Sequence, residues 1–416
     1  MRIRPCHPPR EQPLITSAVR TLATELTGDD LPAYVYDLPA LRAHARAVRD
    51  ALPPGLELYY AAKANPAPPV LRTLAPHVTG YEVASGGEVE HVRAAVPGAP
   101  LAFGGPGKTE GELRRALTLG VERFHVESEQ ELRLLAGVAE DAGIDAVDVL
   151  LRVNVPLASD ELGGAALAMG GRPSPFGLDP EAVQRCLPLL SGAGSRGPLR
   201  LRGIHAHLAS GLDAPAQLTV AAAIADWARK LSERHGLDEL TEVNVGGGMG
   251  VDYAHPDRRF DWAAYGKGMA DLALRHPGRT LRIEPGRALT VYCGWYVTEV
   301  LDIKHSGGEA FAVLRGGTHH IRTPATKQHD QPFQVLPMDT TATWTRPWAR
   351  PAVREEPVTL VGQLCTPKDV LARRVQVPEL RAGDRVAFAM AGAYAWNISH
   401  HDFLMHPRPG FHYLDT

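Results

Sequence analysis

Reactive side chains in this chain gather at the ends of short apolar runs. Lys63 lies in YYAAKAN (59–65). Burial there would disfavour the ammonium and lower its pKa, which is what a Schiff-base lysine requires. A lysine snorkelling at a strand mouth reads the same way. Glu82 and Ser85 close a second run, Arg152 and Asn154 sit in a fifth, and His205, His207 and Ser210 end a sixth. Gly246, Gly247 and Gly248 open GGGMG, where backbone N–H groups could approach a phosphate closely. The same glycines could simply make a tight turn, and they do not fit GxGxxG after a first strand. In EPGR (284–287), Arg287 could grip a phosphate through two bonds, and Glu284 could face a pyridine nitrogen and keep it protonated. A structural ion pair between the two is the alternative. His205 and His207 form HxH, with both side chains on one strand face. That pattern can bind a divalent metal in a barrel hydrolase, with Glu82, Glu127 or Glu284 as further ligands but no evident third histidine. Alternatively, one imidazole stacks on a flat ring.

The runs that carry these residues alternate with helical periods. Strands are expected at 57–64, 80–85, 101–105, 123–128, 148–155, 201–208, 242–248 and 280–286. The segments between them, such as GGEVEHVRAAV and LTVAAAIADWARKLSERHG, carry apolar residues at helical spacing. Eight such alternations predict an α/β fold built on a (β/α)8 barrel over residues 39–292. A doubly wound open sheet is the alternative. Chemistry in a barrel gathers at the C-terminal ends of the strands, which is where the reactive residues fall. After residue 292 the pattern becomes β-rich, with strands separated by Gly, Pro and Asp. Residues 293–416, joined by 1–38, predict a β domain of sandwich or barrel-like form. Within it, the Pro-, Thr- and Trp-rich stretch 323–356 reads as a long loop.

Composition narrows the classes. The chain has 416 residues, a net charge of -3 and a pI near 6.7, which argues against nucleic-acid and membrane-surface partners. Cys6, Cys186, Cys293 and Cys365 are scattered, so a disulfide scaffold is not expected. The start of the chain shows no apolar signal-peptide core and no run long enough to span a membrane, so the cytoplasm is the expected location. Of 18 histidines, those from His305 to His412 crowd into the last third of the chain.

Taken in order, the motifs resemble the fold-type III pyridoxal-phosphate decarboxylases, which include diaminopimelate, ornithine and arginine decarboxylases and share an alanine-racemase-type barrel plus a β domain. The resemblance runs over about 33–410. It implies pyridoxal 5'-phosphate as cofactor and Lys63 as the residue that carries it. GYEVASGGE (80–88) is similar to the family's G-F-D-x-A-S-x-G-E, with Glu82 in place of Asp. HAHLASG (205–211) implies that His207 stacks on the ring and Ser210 reaches the phosphate. GGGMG implies that Gly247 and Gly248 hold the phosphate. EPGR implies Glu284 at the pyridine nitrogen and Gly286 and Arg287 near the phosphate. GQLCTPKD (362–369) implies Cys365 as a proton donor supplied across a homodimer interface, and GAY (392–394) implies that Tyr394 binds phosphate. Racemases of this fold place an arginine at the pyridine nitrogen, so Glu284 points to decarboxylation. A catalytically dead binding protein would be expected to lose Lys63 or the phosphate set, and both are present.

Departures from the family pattern bear on the substrate. Thr366 follows the cysteine where basic-amino-acid decarboxylases carry an acidic residue, and Pro175 replaces a lysine expected to pair with Asp369. RGGTHHIRTPATKQHDQPF (315–333) contains His319, His320, Arg322, Lys327 and His329, while His400, His401 and His406 follow later. If they converge on the site, they suit a substrate tail with carboxylates. The expected substrate-binding set is Arg152, His319, His320, Arg322, Thr366, Asp369 and His401. RGGTHH with HHDF also resembles the siderophore-biosynthesis branch of the family, whose enzymes decarboxylate a diamino acid joined to citrate. A free amino acid, or a carrier-bound one, is the alternative.

Overall fold

The computed structural model describes residues 14–157, 167–168, 173–190, 197–327, 329–338 and 344–415. Cys6, the side chain of Lys327 and parts of the 323–356 stretch lie outside the described residues. The chain divides into two compact units. One comprises residues 42–251 and 260–289, and the other comprises residues 1–41, 252–259 and 290–416. Residues 252–259, read from sequence as part of the barrel, thus fall in the second unit.

In chain order β1 (Ala33–Asp37) belongs to the second unit. The first unit then builds β2 (Glu57–Ala61), β3 (Gly80–Val83), β4 (Leu101–Phe103), β5 (Arg123–Val126), β6 (Val147–Arg152), the short β7 (Leu167–Ala168), β8 (Leu199–His205), the short β9 (Ala209–Ser210), β10 (Glu242–Asn244) and β11 (Thr280–Ile283). Eight of these close into a parallel barrel in the order β10-β11-β2-β3-β4-β5-β6-β8, and β7 and β9 form a two-stranded ribbon. The expected barrel is therefore present and the open sheet is excluded. Every strand stops short of the end read from sequence. Lys63, for instance, lies on the 3-10 turn Ala62–Ala64 after β2.

Capping fixes where several helices begin after these strands. The Ser85, Thr109, Ser128 and Asp213 side chains accept the N–H of residues three further on. The N-terminal half of the barrel is closed by charge pairs. Arg123 bonds Glu242 (2.6 Å) and Asp148 (3.1 Å), and Arg282 bonds Glu57 (2.5 Å) and Glu242 (3.1 Å). The opposite end is left for the site.

The second unit continues with β12 (Gly294–Ser306), β13 (Glu309–Leu314), β14 (Phe333–Leu336), β15 (Ala352–Arg354), β16 (Pro357–Val361), β17 (Val370–Gln376), β18 (Glu379–Arg381), β19 (Arg385–Phe388) and β20 (Gly410–Leu414). Its main sheet has eight strands in the order β14-β19-β12-β13-β16-β17, with β1 pairing β12 and β20. The long β12 bulges between Val300 and Asp302, so its first half pairs β1 and β19 and its second half β13. The expected loop at 323–356 is not wholly irregular: it contains the helix Thr323–Lys327, β14 and β15. No helix among the described residues is long and apolar enough to cross a membrane.

Candidate active site

The C-terminal end of the barrel collects the residues singled out from sequence. Lys63 Nζ lies 2.8 and 3.1 Å from the two carboxylate oxygens of Glu82, which follows from adjacent strands β2 and β3. The Lys63 side chain is 47% exposed and Glu82 is 6% exposed, so the lysine is an ion-paired group at a mouth, not a desolvated one inside an apolar strand. Burial pushes the Glu82 carboxyl up, Lys63 opposes this, and the nearby Glu284 adds to the rise.

Glu284 follows β11 and is buried. Asn244 at the end of β10 organises two neighbours at once: its Nδ2 donates to Glu284 Oε1 (2.6 Å) and its Oδ1 accepts from Gly246 N (2.9 Å). The glycine turn then runs between two carbonyls. A Cβ on Gly247 would stand 2.3 Å from the Glu284 carbonyl oxygen, and one on Gly248 (φ +101°) 2.2 Å from that of Ala209. Only glycine fits at either position. Gly286 and Arg287 follow Glu284 and are half-buried.

His207 and Ser210 face this turn. Gly247 N–H donates to His207 Nδ1 (3.1 Å), and His207 Nε2 lies 3.3 Å from Ser210 Oγ. Burial, with the Lys63 and Arg152 cations, lowers the His207 pKa to about 4, so the ring is neutral at pH 7. With Nδ1 accepting, the proton sits on Nε2 and is donated to Ser210. The Ser210 hydroxyl then has its own proton to offer an anion. HxH is accordingly not a chelating pair, because both His207 nitrogens are engaged. His205 turns instead to Glu284 (Nε2–Oε2 3.2 Å) and stacks on His125 of β5 with ring centroids 4.2 Å apart. Among the described residues, His125, His205 and Glu284 form a group whose ligand atoms all lie within 4.8 Å of one another.

Arg152 is held inward. Its Nη1 bonds Glu127 at 2.6 Å, and its guanidinium covers the Phe176 ring at 5.1 Å. Glu127 also accepts the N–H groups of Gly105 and Gly177, so it ties three loops of the mouth together. Lys108 and Glu131, wholly buried, make a second tie at 2.6 Å.

In the second unit, Cys365 is exposed on a tight turn. Asp369 fixes that turn by accepting the N–H groups of Leu364 (2.8 Å) and Thr318 (2.7 Å), and Thr366 is half-buried beside it. Asp369 thus serves as a backbone acceptor. His320 lies between the Tyr296 hydroxyl (3.1 Å) and the Pro407 carbonyl (3.0 Å), and the His319 ring lies against it, tilted by 44° with centroids 3.9 Å apart. Burial lowers His319 to about 4 and His320 to about 3, so neither carries the positive charge expected of a basic cluster. His401 is stacked on Trp396 and bonds its carbonyl. Arg322 is the exposed cation of the group. Tyr394 adopts φ +49°, and its carbonyl accepts the Thr323 hydroxyl.

His125 and Asn244 were not found from sequence. Their only signal is a polar residue inside a short apolar strand, and their partners come from other strands.

Comparisons with known proteins show the family and the fold. The model of the pyridoxal-dependent decarboxylase pyridoxal-binding domain matches residues 38–291. The chain is 40% identical to 2-[(L-alanin-3-ylcarbamoyl)methyl]-2-hydroxybutanedioate decarboxylase of Staphylococcus aureus, over 92% of this chain and 93% of that one. It is 31% identical to L-glutamyl-[BtrI acyl-carrier protein] decarboxylase of Niallia circulans, over 91% and 88% of the two chains. Among solved structures, diaminopimelate decarboxylase of Helicobacter pylori complexed with L-lysine superposes with a TM-score of 0.78 at 25% identity, covering 92% of this chain and 91% of that one.

Proposed function

The chain belongs to the pyridoxal-dependent decarboxylase family, and we propose that it removes CO2 from a diamino acid joined through an amide to citrate. The 40% identity to the staphylococcal enzyme over nearly the whole chain carries the substrate assignment. The compound in that enzyme's name is 2,3-diaminopropionate linked through an amide to a citrate skeleton. Two features of this chain agree with an acidic tail: Thr366 stands where an acidic residue would hold a distal amine, and Arg322 is an exposed cation.

The cofactor is pyridoxal phosphate, and the barrel's residues fit it. Lys63 supplies the amine that carries it. The glycine turn, admitting no Cβ at Gly247 or Gly248, leaves room for a phosphate against the backbone, and the Ser210 hydroxyl has a proton to donate there. Arg287, which follows Glu284, would complete the phosphate set. His207, neutral at pH 7, would pack against the ring. Glu284, held by Asn244, would lie at the ring nitrogen. When bound, the cofactor supplies an electron sink for the pair left at the α-carbon as CO2 departs. Cys365 returns the proton to that carbon, and its exposure suits delivery from one subunit to the site of another in a homodimer. Mixing Lys63→Ala and Cys365→Ala subunits tests this. Shared sites predict activity well above either variant alone, whereas no recovery would place the cysteine in its own subunit's site.

The experiment that tests the reading is cofactor uptake. The purified enzyme should show a visible band near about 420 nm that is lost in Lys63→Ala. A colourless protein that takes up no pyridoxal phosphate would refute it.

A further inference from the structure

The barrel interior directly beneath the site is polar. Alternate strands of a (β/α)8 barrel contribute side chains to one interior layer, normally filled by branched apolar residues. Here alternate strands β3, β5 and β8 carry Glu82, His125 and His205, and Glu284 follows β11. All four are buried. The imidazoles stack at 4.2 Å and 17°. His205 Nε2 is 3.2 Å from Glu284 Oε2, and His125 Nε2 is 3.9 Å from Glu284 Oε1. The His205 contact is at hydrogen-bond distance but off the bonding direction, and the four nitrogens of the two rings have no hydrogen-bond partner. Leaving a buried polar group unpaired is costly, and a pair of phenyl or branched side chains would fill the same space without that cost.

We propose that His205, braced by His125, is a positioning residue that presents Glu284 as a carboxylate to the ring nitrogen of the cofactor. The inference rests on the functional reading above. Glu284 Oε1 already accepts Asn244 Nδ2 at 2.6 Å. A neutral His205 carrying its proton on Nε2 needs only a small turn of the ring to give Oε2 a donor as well. Two donors on one carboxylate fix its orientation, and a Glu284 carboxylate so held would keep a proton on the ring nitrogen beside it. His125 makes no bond to Glu284 at 3.9 Å; its stacked ring limits how His205 can turn. The charged and titratable groups around His205 are Glu284, His125, His207, Arg152, Lys63 and Arg282. A metal site is a poorer account of the cluster, because near-parallel stacked rings direct their nitrogen lone pairs alongside one another rather than at one point.

The test loads the enzyme with pyridoxal phosphate labelled with nitrogen-15 in the ring and follows the ring-nitrogen signal from about pH 6 to about pH 9. The wild type should hold the protonated signal throughout. His205→Phe should still load but lose ring protonation, with the nitrogen's proton affinity down about tenfold or more, the loss expected for one hydrogen bond to a charged group. Its kcat should fall by a similar factor with KM little changed. His205→Gln, which restores an N–H donor, should recover the signal. His125→Phe keeps the stacked ring and should behave as wild type, and His125→Ala should shift toward His205→Phe, so the inference stands on a second variant if His205→Phe does not fold. A wild type that takes up no cofactor overturns the functional reading and the inference with it. A loaded His205→Phe enzyme with an unchanged ring-nitrogen signal overturns the inference alone. So would a stoichiometric metal bound by the wild type and lost in His205→Phe.

Discussion

Lys63 and Glu82 meet at 2.8 Å and Asn244 holds Glu284 at 2.6 Å, so both carboxylates at the barrel mouth are oriented by a partner. Glu284→Gln removes the negative charge at the ring nitrogen while keeping the shape. It should lower kcat by at least about a hundredfold, since charge stabilisation of this kind is typically worth several kcal/mol. Single-turnover CO2 release measures it, and an unchanged rate would remove Glu284 from the chemistry. Residues of this kind were legible because each sits in a short motif at a strand end, where the neighbours in sequence set its position. Arg152 was legible as a barrel-mouth residue but not as the partner of Glu127, because β5 and β6 are joined only through the intervening helix. His125 and Asn244 were opaque for the same reason. Their importance lies in what stands across the barrel, and that depends on strand register.

At the level of elements, the eight strands were readable from alternation, but each ended earlier than its apolar run. The residues beyond the strand ends leave the ladder to turn over the mouth, and the candidate site residues Lys63, His207 and Glu284 lie among them. Gly246 and Gly248 make such a turn at positive φ. Gly248→Ala forces a Cβ to 2.2 Å from the Ala209 carbonyl and should cost cofactor affinity at least about tenfold, read by equilibrium dialysis. Wild-type affinity would show that the turn can yield. Lys108 makes a different contribution. It bonds Glu131 and the Gly105 and His125 carbonyls, joining the ends of β4 and β5 to the helix Glu129–Asp141. Lys108→Met leaves Glu131 buried and unpaired and should lower stability by about 3–5 kcal/mol. Urea unfolding measures this, and the double variant with Glu131→Leu should recover much of it. The 323–356 stretch looked irregular because Pro and Thr mask periodicity. Its strands β14 and β15 are short and depend on pairing with the distant β19 and β18.

Over the whole molecule, the near-neutral net charge of -3 conceals a set of buried neutral imidazoles. His319 sits at about 4 and His320 at about 3, while His125 and His205 are lowered by burial. The unfolded chain titrates these groups near about 6.5. Between that value and the folded pKa values the unfolded state binds more protons, so stability present above about pH 6.5 is lost as pH falls. Each such imidazole contributes up to about 1.4 kcal/mol per pH unit in that window. The melting temperature should fall steeply from about pH 7 to about pH 5, and less steeply in His319→Phe. A flat profile would mean that these rings are hydrated. The same burial revises the reading of the substrate. His319 and His320, buried and neutral, offer no charge to a carboxylate tail, whereas Arg322 is exposed. Arg322→Ala should raise KM for an acidic substrate with little change in kcat.

We propose a citrate-conjugated diamino acid as the substrate of this decarboxylase. That assignment is tested most directly by CO2 release from citryl-2,3-diaminopropionate set against free ornithine, lysine and diaminopimelate at equal enzyme concentration. The kcat/KM for the conjugate should lie at least about a hundredfold above that for each free amino acid, the discrimination expected when a site's polar groups are left unpaired by the wrong substrate. Equal or faster turnover of any of the free amino acids would contradict it.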